Sequence, residues 1–182
     1  MHLKRTYIAI AIAAIGLLVA ILAIQQEQAP VSAPSPPTIT APHKVGPSWV
    51  YPDPSRTPGF TNPNITQANI EQTICNPGWR TKSIRPPSSY MTRLKKEQMQ
   101  EWGLPGTIAD YEEDHFISLE LGGNTTDPRN LWPQPYSPSP GARQKDTVEN
   151  YLHNQVCAGA MTLKQAQDAV TTDWYRVYLQ IH

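Results

Sequence analysis

Residues 111–132 read YEEDHFISLELGGNTTDPRNLW, and their pattern decides the fold. A run of acids and a histidine leads into HFISLEL (115–121), with Phe116, Ser118 and Glu120 on one side and Ile117, Leu119 and Leu121 on the other. Period-two alternation of this kind predicts a strand over residues 115–121. Gly122 and Gly123 end it, TTDP forms a polar loop, and Asn130-Leu131-Trp132 opens a short second strand that Pro133 and Pro135 limit.

Working towards the C-terminus, the loop PYSPSPG leads into a helix over residues 142–157. Val148, Tyr151, Leu152 and Val156 share one of its faces, and Gly159 stops it. A last helix spans residues 163–179. Thr162 and Gln165 make its capping box, and Leu163, Ala166, Val170, Trp174 and Val177 form its buried stripe. Towards the N-terminus, Ser88 or Ser89 opens the helix YMTRLKKEQMQEW, which ends at Gly103 and Pro105 and carries an apolar stripe of Tyr90, Met91, Leu94 and Trp102. Trp132 and Trp174 read as core. The order strand, loop, strand, loop, helix, with further helices on either side, is that of an α+β domain.

The rest of the chain differs in composition. MHLKR is followed by YIAIAIAAIGLLVAILAI (7–24), a stretch without charge. As a helix it would span roughly 27 Å, near the thickness of a bilayer's hydrocarbon core. Residues 1–24 are read as a membrane anchor, with a cleaved signal peptide as the alternative, since no small-residue cleavage motif adjoins the apolar run. Both readings keep Lys4 and Arg5 inside and send the remainder out of the cytoplasm, tethered through residues 7–24 or secreted. Residues 25–67 are dense in proline (PVSAPSPPTITAPHKVGP, YPDPSRTPGFTNPN) and poor in patterned apolar residues. They read as an extended linker, and residues 68–182 as the folded domain.

Charge gives no independent pointer to a polyanionic ligand. The chain balances fifteen basic against fifteen acidic residues, and residues 68–182 hold a small acidic excess. The two cysteines, Cys75 and Cys157, read as a disulfide in an exported protein, with two buried thiols as the alternative. A zinc site of four cysteines is excluded.

DHFISLELGG followed by DPRNLWPQP resembles the core of HNH-type (ββα-metal) endonucleases, and ARQKDTVENYLHNQVCAG extends the likeness to a branch of small exported or phage-associated proteins. The similarity covers about residues 73–178. It implies a ββα-metal core and a metal-dependent nuclease that cuts nucleic acid, DNA before RNA, outside the cytoplasm. It implies His115 as general base, Asp114 as metal ligand and Asn130 as the residue that orients the His115 ring. The chain departs from the commoner family pattern, in which a further histidine follows the Asn-Leu pair, because that position falls in the SPSP loop (137–140). The ligand role therefore passes to the helix, to Asn150, with Glu149, Asp146 and His153 as alternatives.

The residue types suit this chemistry. Phosphodiester hydrolysis needs a base to take a proton from water and a cation to stabilise the charge that grows on phosphate and leaving oxygen. An imidazole can accept a proton at neutral pH. Aspartate is a hard oxygen ligand suited to Mg²⁺ or Mn²⁺, with Zn²⁺ also admissible. No organic cofactor is called for. Asp114 and His115 would point to opposite faces of a regular strand, so the motif requires a bend or a strand end there. Lys145, Arg143 and Arg129 are the cations placed to meet phosphate. Two further readings stand beside the nuclease: a catalytically inactive, membrane-tethered binding or structural module on the same scaffold, and an adaptor that recruits partners through its proline-rich linker.

Overall fold

Two antiparallel strands and three α-helices make up the fold in the computed structural model, which describes residues 44–182. Helix α1 (Ser88–Trp102) ends where Gly103 takes the left-handed conformation that glycine tolerates. Strand β1 (Tyr111–His115) pairs with β2 (Leu131–Pro135), His115 opposite Leu131 and Asp114 opposite Trp132. Helices α2 (Ala142–Cys157) and α3 (Leu163–Ile181) follow. The architecture is α+β, as the residue pattern implied, and α2 packs on both α3 and β1.

The helices fall where the pattern places them, and the first strand does not. β1 ends at His115, and HFISLEL continues as a loop with a 3-10 turn at Leu119–Leu121. Phe116, Ile117, Leu119 and Leu121 are all buried, as is Ser118. Apolar groups buried on both sides of the segment need a wrapped loop, not a half-buried strand. The loop closes on itself: the Leu121 amide donates to the Ser118 carbonyl at 3.0 Å and the Gly123 amide to the same oxygen at 2.8 Å. A Cβ on Gly123 would lie 1.8 Å from the Ile117 carbonyl oxygen, so only glycine fits there. The prolines of β2 are tolerated because a two-stranded sheet consists of edges alone.

The folded domain begins earlier than residue 68. Val50 is fully buried in the core. The Trp174 indole donates to the Val50 carbonyl at 2.8 Å, and buried Asp173, at a kink in α3, accepts from the Val45 amide at 2.9 Å. Thr61 bridges to Gly123. Prolines in 44–67 restrict the unfolded chain and lower the entropy lost on docking, so scattered anchors such as Val50 and Ile65 suffice to hold it.

Within the helices, the buried stripe holds more polar residues than expected. Gln98 and Met99 are buried in α1, and the Gln98 amide donates to the Leu131 carbonyl at 3.0 Å. In α2, Tyr151 faces solvent, while Lys145 and Glu149 line up with Val148, Leu152 and Val156 on the buried face. Among the described residues no helix is long and apolar enough to cross a membrane. The anchor or signal reading of residues 7–24 lies outside the described residues.

Candidate functional site

Four consecutive residues of β1, Glu112 to His115, border one polar cavity of about 370 Å³. Successive strand residues point to opposite faces, so four in a row can share a cavity only along the unpaired edge and end of the strand. β1 has such an edge, since β2 covers its other side. Helix α2 forms the facing wall with Asp146, Glu149 and Asn150, the 3-10 turn contributes Glu120, and Arg85 stands before α1. Asp114, His115, Asp146, Glu149 and Asn150, singled out from sequence, therefore meet in one place.

His115 is buried, and its Nε2 lies 3.0 Å from the Thr125 carbonyl oxygen. A carbonyl can only accept, so Nε2 donates and Nδ1 carries the lone pair of the neutral ring. Burial lowers the His115 pKa, with the Lys145 and Arg85 charges acting the same way, against the opposing effects of the Thr125 contact and Asp114. The ring is thus neutral at physiological pH and able to accept a proton.

The orienting residue is Thr125, and Asn130 has other work. Fully buried, Asn130 accepts from the Ile117 amide at 3.0 Å and the Phe60 amide at 3.2 Å, and donates to the Ile117 carbonyl at 3.0 Å and the Asn124 carbonyl at 2.9 Å. It ties the 117–124 loop to the start of β2 and to the N-terminal segment. Its effect on His115 passes through the loop that carries Thr125.

Lys145 does not reach out towards a phosphate. Its ammonium, 1% exposed, donates to Asp114 Oδ2 at 2.7 Å, to the His115 carbonyl at 2.8 Å and to Glu149. Burial pulls its pKa down, but Asp114 and Glu149 outweigh this and hold it above the ordinary lysine value. Arg129 is bound to Asp127 at 2.6 Å and stacks on Phe60, 3.7 Å from the ring centroid, and Arg143 lies over Tyr136. None of the three lines the cavity as a phosphate ligand would. His153, offered as an alternative ligand, turns away: its Nε2 donates to the Ile74 carbonyl at 2.9 Å.

Crowding of acids sets the electrostatics. Burial, reinforced by the Asp114 charge, pushes Glu113 up to about 8, and both of its carboxyl oxygens lack a hydrogen-bond partner among the described residues. Burial also raises Glu112, Glu120, Asp146 and Glu149, the last against the pull of Lys145. Such a cavity favours protons or a cation over water.

Compared with family models, curated proteins and solved structures, the chain matches none.

The cysteines form the disulfide, Cys75 to Cys157, across 82 residues, with Cα atoms 5.4 Å apart. With His153 they make a cysteine–histidine–cysteine group whose ligand atoms lie within 4.8 Å of one another. That group could hold a metal ion, but its sulfurs are spent on each other. It is distinct from the oxygen-rich cavity around His115. The sequence reading missed Arg85, Glu120 and Thr125. The EED run before the histidine was a signal for Glu112 and Glu113, whereas Arg85 stands in no motif.

Proposed function

We propose that this chain is an HNH-like, metal-dependent nuclease that hydrolyses phosphodiester bonds in nucleic acid, DNA before RNA, with His115 as general base. The observation that carries the reading is the neutral, buried His115 ring, fixed by the Thr125 carbonyl at the edge of an acid-lined cavity. Water attacking phosphorus loses a proton to His115, and the bond from phosphorus to one ester oxygen breaks. That oxygen leaves with a proton from solvent or from a protonated carboxyl such as Glu113.

The donors in the cavity suit a hard divalent cation, Mg²⁺ or Mn²⁺ before Zn²⁺. Among the described residues Asp114 keeps Oδ1 without a hydrogen bond, and the unpartnered oxygens of Glu113 stand beside it in the chain. Asp114 together with Asn150, Asp146 or Glu149 of α2 would hold the ion. When bound it would stabilise negative charge on phosphate and leaving oxygen. The disulfide supports an oxidising compartment, in keeping with export through residues 7–24 as anchor or signal.

One observation favours a second reading, a scaffold without turnover: the Lys145 ammonium already neutralises Asp114 and Glu149. Nicking of supercoiled plasmid and cleavage of RNA by the full chain with Mg²⁺ or Mn²⁺ separates the two. The expected result is metal-dependent cutting that falls by at least about a hundredfold in His115→Ala. Intact DNA and RNA across the common divalent metals would leave the inactive module standing.

A further inference from the structure

A polyanion approaching His115 meets a cavity bordered by acids, of which Glu112, Glu120 and Asp146 have no ion pair among the described residues, so a nuclease site here needs a cation that is not already committed. Lys145 is enclosed, and Arg129 and Arg143 lie elsewhere. Arg85 meets the requirement. It borders the His115 cavity, and its guanidinium has no ion-pair partner among the described residues. Its charge acts on His115, Glu112, Glu120 and Asp146.

A second cavity, of about 410 Å³, adjoins the first. Arg85, Glu112 and Glu113 border both, and Lys82 and Ser88 line the second alone. Lys95 also lines it, but its ammonium is committed to the Ile108 and Tyr111 carbonyls at 2.6 and 2.7 Å. Lys82, like Arg85, makes no ion pair among the described residues. Ser88 opens α1 behind Pro87, which offers no side-chain cap, so the first amides of that helix add a favourable field for an anion.

We propose that Arg85 and Lys82 form a phosphate subsite in this second cavity, which holds a backbone phosphate next to the one cleaved beside His115. The inference rests on the nuclease reading, and it names the substrate as a strand that extends past the scissile bond on the α1 side. Arginine suits the position because its planar fork grips two phosphate oxygens at once, and it stands on the shared wall, where consecutive phosphates would pass. Lys82 adds a point charge to the second cavity.

The test measures binding apart from cleavage. The full chain carrying His115→Ala is titrated against fluorescein-labelled single-stranded DNA and RNA of the same sequence over a range of salt concentrations. Adding Arg85→Ala should weaken binding tenfold or more and reduce the slope of log affinity against log salt by about one. Arg85→Lys should recover part of the affinity, and Lys82→Ala should lose a smaller amount. Arg129→Ala, whose cation is held by Asp127, should bind as the parent does. Unchanged affinity and slope in Arg85→Ala, while the wild-type chain still cuts nucleic acid, overturns the subsite alone. A wild-type chain that neither binds nor cuts DNA or RNA overturns the nuclease reading and the subsite with it. Circular dichroism of each variant against the His115→Ala parent checks that the substitutions at Arg85, Lys82 and Arg129, all exposed, leave the fold in place.

Discussion

The Lys145 ammonium lies 2.7 Å from Asp114 Oδ2, so the residue before the candidate base is joined to α2 through a fully enclosed charge. Removing one member of such a group leaves the others buried without a counter-charge, which costs about 3–5 kcal/mol. Lys145→Met should therefore lower the urea midpoint strongly, and adding Glu149→Leu should restore part of the loss. If Lys145→Met unfolds at the parent's midpoint and loses only substrate affinity, the lysine is a phosphate ligand after all.

Asn130 makes four hydrogen bonds with backbone groups. Asn130→Asp keeps the acceptor and removes both donated bonds, so the Ile117 and Asn124 carbonyls lose their partner. A destabilisation of about 2–4 kcal/mol follows, read as a lower urea midpoint. A variant with native stability but altered His115 titration would point instead to a direct contact with the ring.

Stability should fall as pH rises towards about 8. Glu113 holds its proton up to about 8 in the folded chain but only to the ordinary carboxyl range when unfolded. Between those values the native state binds more protons, and each excess proton tilts stability downward by at most about 1.4 kcal/mol per pH unit. His115, with its lowered pKa, acts in the opposite sense only at more acid pH, while its unfolded form titrates. Urea midpoints should thus drop between pH 7 and 8, with a shallower slope in Glu113→Gln. Parallel slopes for the two proteins would show that Glu113 is ionised in the fold.

Reduction of the Cys75–Cys157 bridge frees a loop spanning 82 residues. In the chain-entropy model this weakens the fold by about 4 kcal/mol. Urea unfolding with and without a thiol reductant measures it, with the double variant Cys75→Ser, Cys157→Ser as control. A midpoint that reductant leaves in place would mean that packing of residues 74–75 against α2 does the holding.

Helices were legible from sequence because their signals are local: the Thr162–Gln165 box, Gly103 and the apolar spacing of α3 each act within a few residues. Strand β1 was not, because YEEDH carries no apolar alternation. Its strand character comes from pairing with residues 131–135, a contact that only the folded chain supplies. The same holds for the site. Asp114 and His115 announced themselves by their neighbours. Thr125 orients the ring with a main-chain oxygen that any residue would provide, and Arg85 arrives by tertiary placement alone. Lys145 was read as a cation that meets phosphate and Glu149 as an alternative metal ligand because charged side chains are rarely buried, whereas here they enclose each other.

The unpaired edge of β1 has a consequence apart from chemistry. Exposed strand edges invite the edge of another copy to add on, the first step towards aggregation. In this chain the edge that β2 leaves unpaired faces α2 across the cavity, and Glu113, Asp114 and His115 on it are buried, so a second copy has no open row of amides to join. The helix wall that closes the cavity also guards the protein against sticking to itself.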